Sequence, residues 1–317
     1  MRVGVCILPE YAWAEAAPRW RAVEELGFDH GWTYDHLVWS GLPDAPWHST
    51  VVTLTAAATV TDRIPLGTWV ASPNFRHPVP FARDLVSLTD VAGPGRVICA
   101  IGSGGDTDAE LLGEQLSRGE RTRRFGEFVG LLRRALVEDP LNHSGPRYTV
   151  HGYRNLAGAA AEPPRVVVAA TGPRGMRLAI EQGDGWATTG IGGDDNEAWW
   201  QGVRQLTESL AEAGGRSLDR YLSIDAGPEF SLQSKEFCLD QLGRAAELGF
   251  TDVVLHWPRP TDPYRGSEQV LEAVAAELPG CADVPIVPLT HPPERCTFDA
   301  REASRNSLMP GKHQGSV

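Results

Sequence analysis

The sequence predicts an α/β protein built as one (β/α)8 TIM barrel. Two patterns carry this. Short apolar, β-branched runs alternate with stretches of helical spacing eight times along the chain. Strands that are apolar on both faces and separated by helices form parallel sheets with helices covering both sides. Eight such units within roughly 280 residues match the usual size of the barrel. A doubly wound sheet is the alternative, and it usually has fewer units.

The units follow in order. "VGVCIL" (3–8) is a strand, and "AWAEAAPRWRAVEELG" (12–27) is a helix stopped by Gly27. The strand "FDHGWTYD" (28–35) precedes a helix over 49–61, with Ser49 or Thr50 as its N-cap. "IPLGTWV" (64–70) leads to "PVPFARDLVSLTDVAG" (78–93), again ending on glycine, and "RVICAIG" (96–102) leads to a helix over 120–136. The stretch 139–164 is rich in Pro, Gly and Asn and reads as an insertion loop after the fourth unit. The rhythm resumes with "RVVVAA" (165–170), a helix over 173–183, "GWATT" (185–189) and a helix over 196–214. It closes with "YLSIDAG" (221–227), a helix over 234–249, "TDVVLHW" (251–257) and a helix over 267–278. Residues 1–280 are thus expected to form the barrel. Residues 281–317 lack sustained periodicity and are expected to form an irregular tail.

Composition narrows the function classes. A net charge of −12 over 317 residues argues against nucleic acid and anionic membrane surfaces, which select clustered Lys and Arg. No apolar run reaches the roughly 20 residues that span a bilayer, and the N-terminus lacks a secretory signal's apolar segment. Five cysteines are scattered without a CxxC pair, which fits the reducing cytoplasm and no metal site. The expected partner is a small molecule.

In a barrel the chemistry sits at the C-terminal ends of the strands. Those ends carry Asp35-His36, Trp69-Val70, Gly102 to Asp106, Thr171 to Gly175, Glu229 and His256-Trp257. The opposite ends carry plain turns such as "ELGFD" and "GPGR". "GSGGD" fails as a dinucleotide fingerprint, because the third glycine of GxGxxG would fall at Thr107. "TGPRG" lies between a strand and a helix, where free backbone N–H groups bind anions. Gly172 and Gly175 allow close approach there, and Arg174 adds a charge.

The stretches "GWTYDH", "LGTWVASPNFRHPVPFARDLVSLTDVAGPGRVICAIGSGG" and "ATGPRGMRLAIEQGDGWATTG" resemble the bacterial luciferase-like superfamily. The likeness covers roughly residues 1–280 and is strongest to the branch that uses the deazaflavin coenzyme F420. It implies a barrel with the cofactor ring at the C-terminal rim, backed by a non-prolyl cis peptide at Trp69-Val70. Asp35 would touch the ring and His36 would face the substrate as acid or base. An imidazole suits that work, since its ordinary pKa is about 6.5. Ser103, Gly104, Thr171, Gly172, Arg174 and Gly175 would help bind the cofactor. Trp39, Gly105, Asp106, Glu229, His256 and Trp257 would line the substrate pocket. The sugar-phosphate dehydrogenases of this family place a Glu where Gly105 stands, so a flat, apolar substrate ringed by tryptophans suits this chain better. The resemblance further implies a homodimer. The reading is an F420-dependent oxidoreductase working by hydride transfer. A reduced-FMN-dependent monooxygenase and a non-catalytic flavin-binding barrel are the alternatives.

Overall fold

A computed structural model describes residues 1–155 and 163–278. The expected tail and the centre of the insertion, 156–162, lie outside the described residues. The elements are β1 (Arg2–Cys6), α1 (Trp13–Glu25), β2 (His30–Thr33), α2 (Thr50–Ala58), β3 (Leu66–Ala71), α3 (Pro78–Ala92), β4 (Val97–Ile101), α4 (Thr107–Leu111) and α5 (Arg118–Val137). After them come β5 (Leu141–Ser144), β6 (Thr149–Tyr153), β7 (Arg165–Ala169), α6 (Pro173–Gln182), β8 (Gly185–Thr188), α7 (Asn196–Glu212), β9 (Asp219–Ser223), α8 (Lys235–Glu247), β10 (Asp252–His256) and α9 (Glu268–Ala275).

Eight parallel strands close a barrel in the order β1-β10-β9-β8-β7-β4-β3-β2. Each predicted strand–helix unit is present, and the fold is the (β/α)8 barrel. Alternation along the strands divides the core into two layers. One lies between strands and helices and holds Val3, Val5, Leu66, Val166, Val168 and Leu255. The other fills the barrel and holds Cys6, Trp32, Trp69, Ile98, Val167, Tyr221 and Val254. Glycines make room for the large inward side chains. A Cβ on Gly4 would fall 1.7 Å from the His30 ring, and one on Gly67 would fall 2.3 Å from Trp32.

The insertion departs from the expected loop. β5 and β6 pair as an antiparallel hairpin. Its apolar members Leu141, Tyr148 and Val150 are buried, while Pro140 and Pro146 flank the strands rather than interrupt them. Glu127 of α5 anchors the turn by accepting from the N–H groups of Arg147 and Tyr148 at 3.1 and 3.0 Å. The tip reaches the rim, where Tyr148 packs edge-on to His77 and Arg147 pairs with Glu114.

Candidate active site

The C-terminal rim is organised by the end of β3. The Trp69–Val70 peptide is cis, and the β3–β4 register shifts between Thr68 and Ala71. The resulting bulge turns the chain into Ser72, whose hydroxyl accepts from the N–H of Asn74. Asn74 in turn donates to the carbonyls of Ser103 and Gly105 at 3.1 and 2.9 Å, which fixes the glycine loop after β4. Gly104 sits at φ 67°, and a Cβ there would lie 2.5 Å from both Ser72 Oγ and Asn74 Nδ2. Gly102 is equally tight, since its Cβ would meet Val70 at 2.9 Å. Val70 and Trp69 are thus held by packing from both sides, with the Trp69 indole inside the barrel against Trp32.

Asp35 is buried, and both of its oxygens have partners. One accepts from Arg76 at 2.7 Å and the other from the Ser72 N–H at 3.1 Å. Arg76 also lies over the rings of Phe75 and Phe81. Its Nη1 is buried without a partner, as is Asn74 Oδ1. Asp35 therefore ties the end of β2 to the β3–α3 loop.

His36 Nδ1 lies 3.0 Å from Asp108 Oδ2, and the Leu37 N–H donates to Asp108 Oδ1 at 2.8 Å. A carboxylate only accepts, so Nδ1 carries a proton, and in the neutral ring Nε2 keeps its lone pair. The His36 side chain is 26% exposed, whereas that of Asp108 is 1% exposed. Asp108 was not among the predicted residues. Asp106 was, but it stands at the N-cap of α4, more than half exposed, and pairs with Arg121. Half a turn of helix explains the exchange, because two residues along α4 point to opposite faces, Asp108 toward His36 and Asp106 outward.

A second dyad stands across Tyr34. Asp225 accepts from the backbone N–H of His256 at 2.6 Å and from its Nδ1 at 3.2 Å. His256 Nε2 is 2.9 Å from the Tyr34 hydroxyl, which is 2.9 Å from the Tyr264 hydroxyl. Burial pushes the phenols of Tyr34 and Tyr264 above their ordinary range, so both hold their protons at neutral pH. Tyr264 stacks on His256 at 4.0 Å and lies parallel to Trp39. Trp39 and Trp47 pack beside Tyr34, as the aromatic rim required. His256 is fully buried beneath this cluster rather than open at the rim.

Two other predicted lining residues fall elsewhere. His256 points inward, so alternation turns Trp257 outward, where its Nε1 donates to Glu268 of α9 at 3.0 Å. Glu229 is exposed and takes a bond from Gln233. Asp225, four residues earlier, is the acidic group that faces the barrel. Sequence gave a weak signal for it, namely a lone acid within an apolar strand end.

At the end of β7, α6 begins with Pro173 and has no side-chain cap at Gly172. Its first-turn N–H groups lack intrahelical partners. A Cβ on Gly172 would meet nothing, whereas one on Gly175 would strike Ala170 Cβ at 2.6 Å. Thr171 and Arg174 are exposed beside this turn, while Gly105 faces open space after β4. Among the described residues no three His, Cys, Asp or Glu side chains gather as a metal site. No helix among them is long and apolar enough to cross a membrane.

An F420-dependent glucose-6-phosphate dehydrogenase of Intrasporangium calvum is 28% identical over 288 residues, covering 79% of this chain and 82% of that protein. An F420-dependent hydroxymycolic acid dehydrogenase of Mycobacterium tuberculosis is 28% identical over 316 residues, covering 92% and 82%. The solved structure of an F420-dependent secondary alcohol dehydrogenase with an F420–acetone adduct superposes with a TM-score of 0.72 at 16% identity. That superposition covers 89% of this chain and 100% of the other, and at such identity it speaks for the fold. The family described as luciferase-like monooxygenase matches residues 1–233, and this chain is a member of it.

Proposed function

We propose that this protein is an F420-dependent oxidoreductase that moves a hydride between the deazaflavin and a small, apolar alcohol or carbonyl compound. The observation that carries the reading is the His36–Asp108 dyad at the barrel mouth, 3.0 Å apart, with the imidazole partly exposed. Relatives named as F420-dependent dehydrogenases support the cofactor.

The residues present fit such a group. The uncapped start of α6, with Gly172 open and Arg174 exposed, suits a phosphate. The bulge at Trp69 and Val70 offers a backbone wall, and Ser103 and Gly104 pack beside it against Ser72 and Asn74. Arg76 Nη1 and Asn74 Oδ1 are buried beside it without hydrogen-bond partners. When bound, the deazaflavin supplies a carbon that takes or gives a hydride. Asp35 holds Arg76 and the bulge in place, and so acts as a positioning residue. Asp108 orients His36, whose Nε2 takes the proton of an alcohol or returns it to a carbonyl oxygen.

An apolar substrate follows from the charges. Arg76, Arg121 and Arg259 near the mouth are each paired with a carboxylate, on Asp35, Asp106 and Glu10. The mouth walls are instead Tyr34, Trp39, Trp47 and Tyr264. The scattered cysteines, with Cys6, Cys99 and Cys238 free and buried, support a cytoplasmic setting. We further take residues 1–280 as the catalytic domain, 281–317 as a tail, and the working form as a homodimer, in keeping with the family resemblance.

Parallel titrations of purified protein with F420 and FMN test the reading. F420 should bind in the low-micromolar range or tighter and FMN more weakly. Tighter binding of FMN, with oxygen uptake once it is reduced, would make the protein a monooxygenase.

A further inference from the structure

We propose that Tyr264 sets the size of substrate that this barrel accepts. Its ring fills an aromatic box at the mouth, so the protein takes small aliphatic alcohols or ketones and refuses fused aromatic ones. The inference rests on the reading above in taking the mouth for the substrate pocket.

The box has four walls. Tyr264 stacks on the buried His256 ring with centres 4.0 Å apart and planes 13° apart. It is parallel to Trp39 within 6°, at 6.2 Å, and inclined to Phe230 at 5.8 Å. At its tip the hydroxyl lies 2.9 Å from that of Tyr34. The space that the Tyr264 ring occupies is thus lined by rings and has the shape of a ring. It also opens beside the chemistry. Tyr264 is only half-buried, and the Tyr34 that it bonds has its ring 6.2 Å from that of His36.

The ring is fixed there, which makes it a filter and not a gate. Tyr264 has φ 67°, a backbone conformation that glycine takes freely and a bulky residue rarely adopts. Such a conformation persists where the surroundings over-determine it, and here Arg259 does so from inside the loop. Its side chain donates to the carbonyls of Thr261, Asp262 and Pro263 and to both oxygens of Glu10. Its backbone N–H donates to the Tyr264 carbonyl at 2.8 Å, and its own carbonyl accepts from the Gly266 N–H at 3.0 Å. Gly266 lets the loop lie close against its neighbours, since a Cβ there would meet Phe230 at 2.8 Å and Pro258 at 3.2 Å. A lid that swings aside would have to break this set, and Arg259 is itself buried.

Tyr264→Gly is the test, because glycine suits that backbone and empties the box. Indole is the probe, titrated by calorimetry into protein without cofactor. The variant should bind indole roughly 10–100-fold more tightly than wild type, the worth of one buried and stacked ring. Tyr264→Phe keeps the ring and loses only the bond to Tyr34, so it should bind indole as wild type does. Trp39→Leu added to Tyr264→Gly removes one wall and should return most of the gain. If Tyr264→Gly does not fold, Tyr264→Asn carries the test, since asparagine also tolerates a positive φ. Turnover with F420 gives the second readout. The ratio of kcat/KM for 1-(2-naphthyl)ethanol to that for cyclohexanol should rise by the same factor in Tyr264→Gly, chiefly through KM. Indole bound no more tightly by the variant would overturn the proposal. So would an unchanged substrate ratio, or a wild type that already accepts naphthylethanol as well as cyclohexanol. A wild type that fails to bind F420 removes the functional reading, while the indole titrations still judge the box.

Discussion

Asp108→Asn isolates the orientation of His36 from its presence. Asp108 accepts twice, from the Leu37 N–H at 2.8 Å and from His36 Nδ1 at 3.0 Å. Asparagine has one oxygen, and the Leu37 N–H can only donate, so that oxygen stays with Leu37. The amide nitrogen then faces His36 Nδ1 and can only donate to it. Nδ1 must lose its proton, and the neutral ring carries it on Nε2 instead. The lone pair that would accept the alcohol proton is gone. The flipped amide would restore the ring but oppose two donors in a buried site, at a cost of about 1–3 kcal/mol. Since about 1.4 kcal/mol is a factor of ten, the flipped form is populated about a tenth of the time or less. Turnover in the alcohol direction should therefore fall roughly 10–100-fold, short of the roughly 10²–10⁴-fold expected for His36→Ala. F420 affinity, read by titration, should stay within about threefold. Full alcohol turnover in a variant that binds F420 normally would refute the dyad's role.

Other perturbations probe the supports of the site. Gly175→Ala adds a Cβ that must move Ala170 away from 2.6 Å, an overpacking worth about 1–3 kcal/mol, and should lower Tm measurably. Gly175→Asp adds a like charge beside the proposed phosphate, so F420 affinity should fall roughly a hundredfold beyond the alanine variant; equal affinities would move the phosphate elsewhere. Asp35→Ala leaves Arg76 buried without its partner at 2.7 Å, and should cost about 3–5 kcal/mol in denaturant titration. A loss under about 1 kcal/mol would show that water reaches the guanidinium. Burial opposes ionisation of Asp252, yet bonds from His30, Arg2 and Thr251 outweigh it and hold its pKa at about 2, below the ordinary 3.8. Its folded value is lowered, so its stabilisation of about 2 kcal/mol is complete above pH 4 and disappears as pH falls towards 2. Asp252→Asn should flatten the acid limb of stability across that window, and an unchanged limb would assign it to other carboxylates.

The barrel was legible because its signal is periodic and repeats. Eight alternations of apolar run and helix leave few folds, and glycines such as Gly27 and Gly93 mark ends by their positive φ. The hairpin over 141–153 was not legible, since its strands are short and its prolines read as loop. The strand ends gave the right rim but not always the right residue. His36, Tyr34, Trp39 and His256 come together, whereas Trp257 turns outward by simple alternation. Asp108 and Asp225 were missed because each acts at a distance in sequence, 72 and 31 residues from its histidine. Only closure of the barrel brings those pairs together. Arg76 was missed for the same reason, as nothing local says that it pairs with Asp35.

The two ends of the barrel satisfy their polar groups differently. At the N-terminal end Arg2 bridges Asp252 and Asp219, Arg165 joins Asp219, and His30 bonds Asp252. Trp32 Nε1 closes the set by donating to His30 Nδ1 at 2.5 Å. These groups partner one another and leave no work undone. At the C-terminal rim the balance differs. Of nine buried polar atoms without partners among the described residues, five lie there, on Trp47, Asn74, Arg76, Arg124 and Ser231. Buried polar groups in native proteins are nearly always bonded, so unpaired ones ask for a ligand or water. Their concentration at one end, beside two oriented histidines and an uncapped helix start, follows the division of labour in which the bottom of a barrel stabilises and the top reacts.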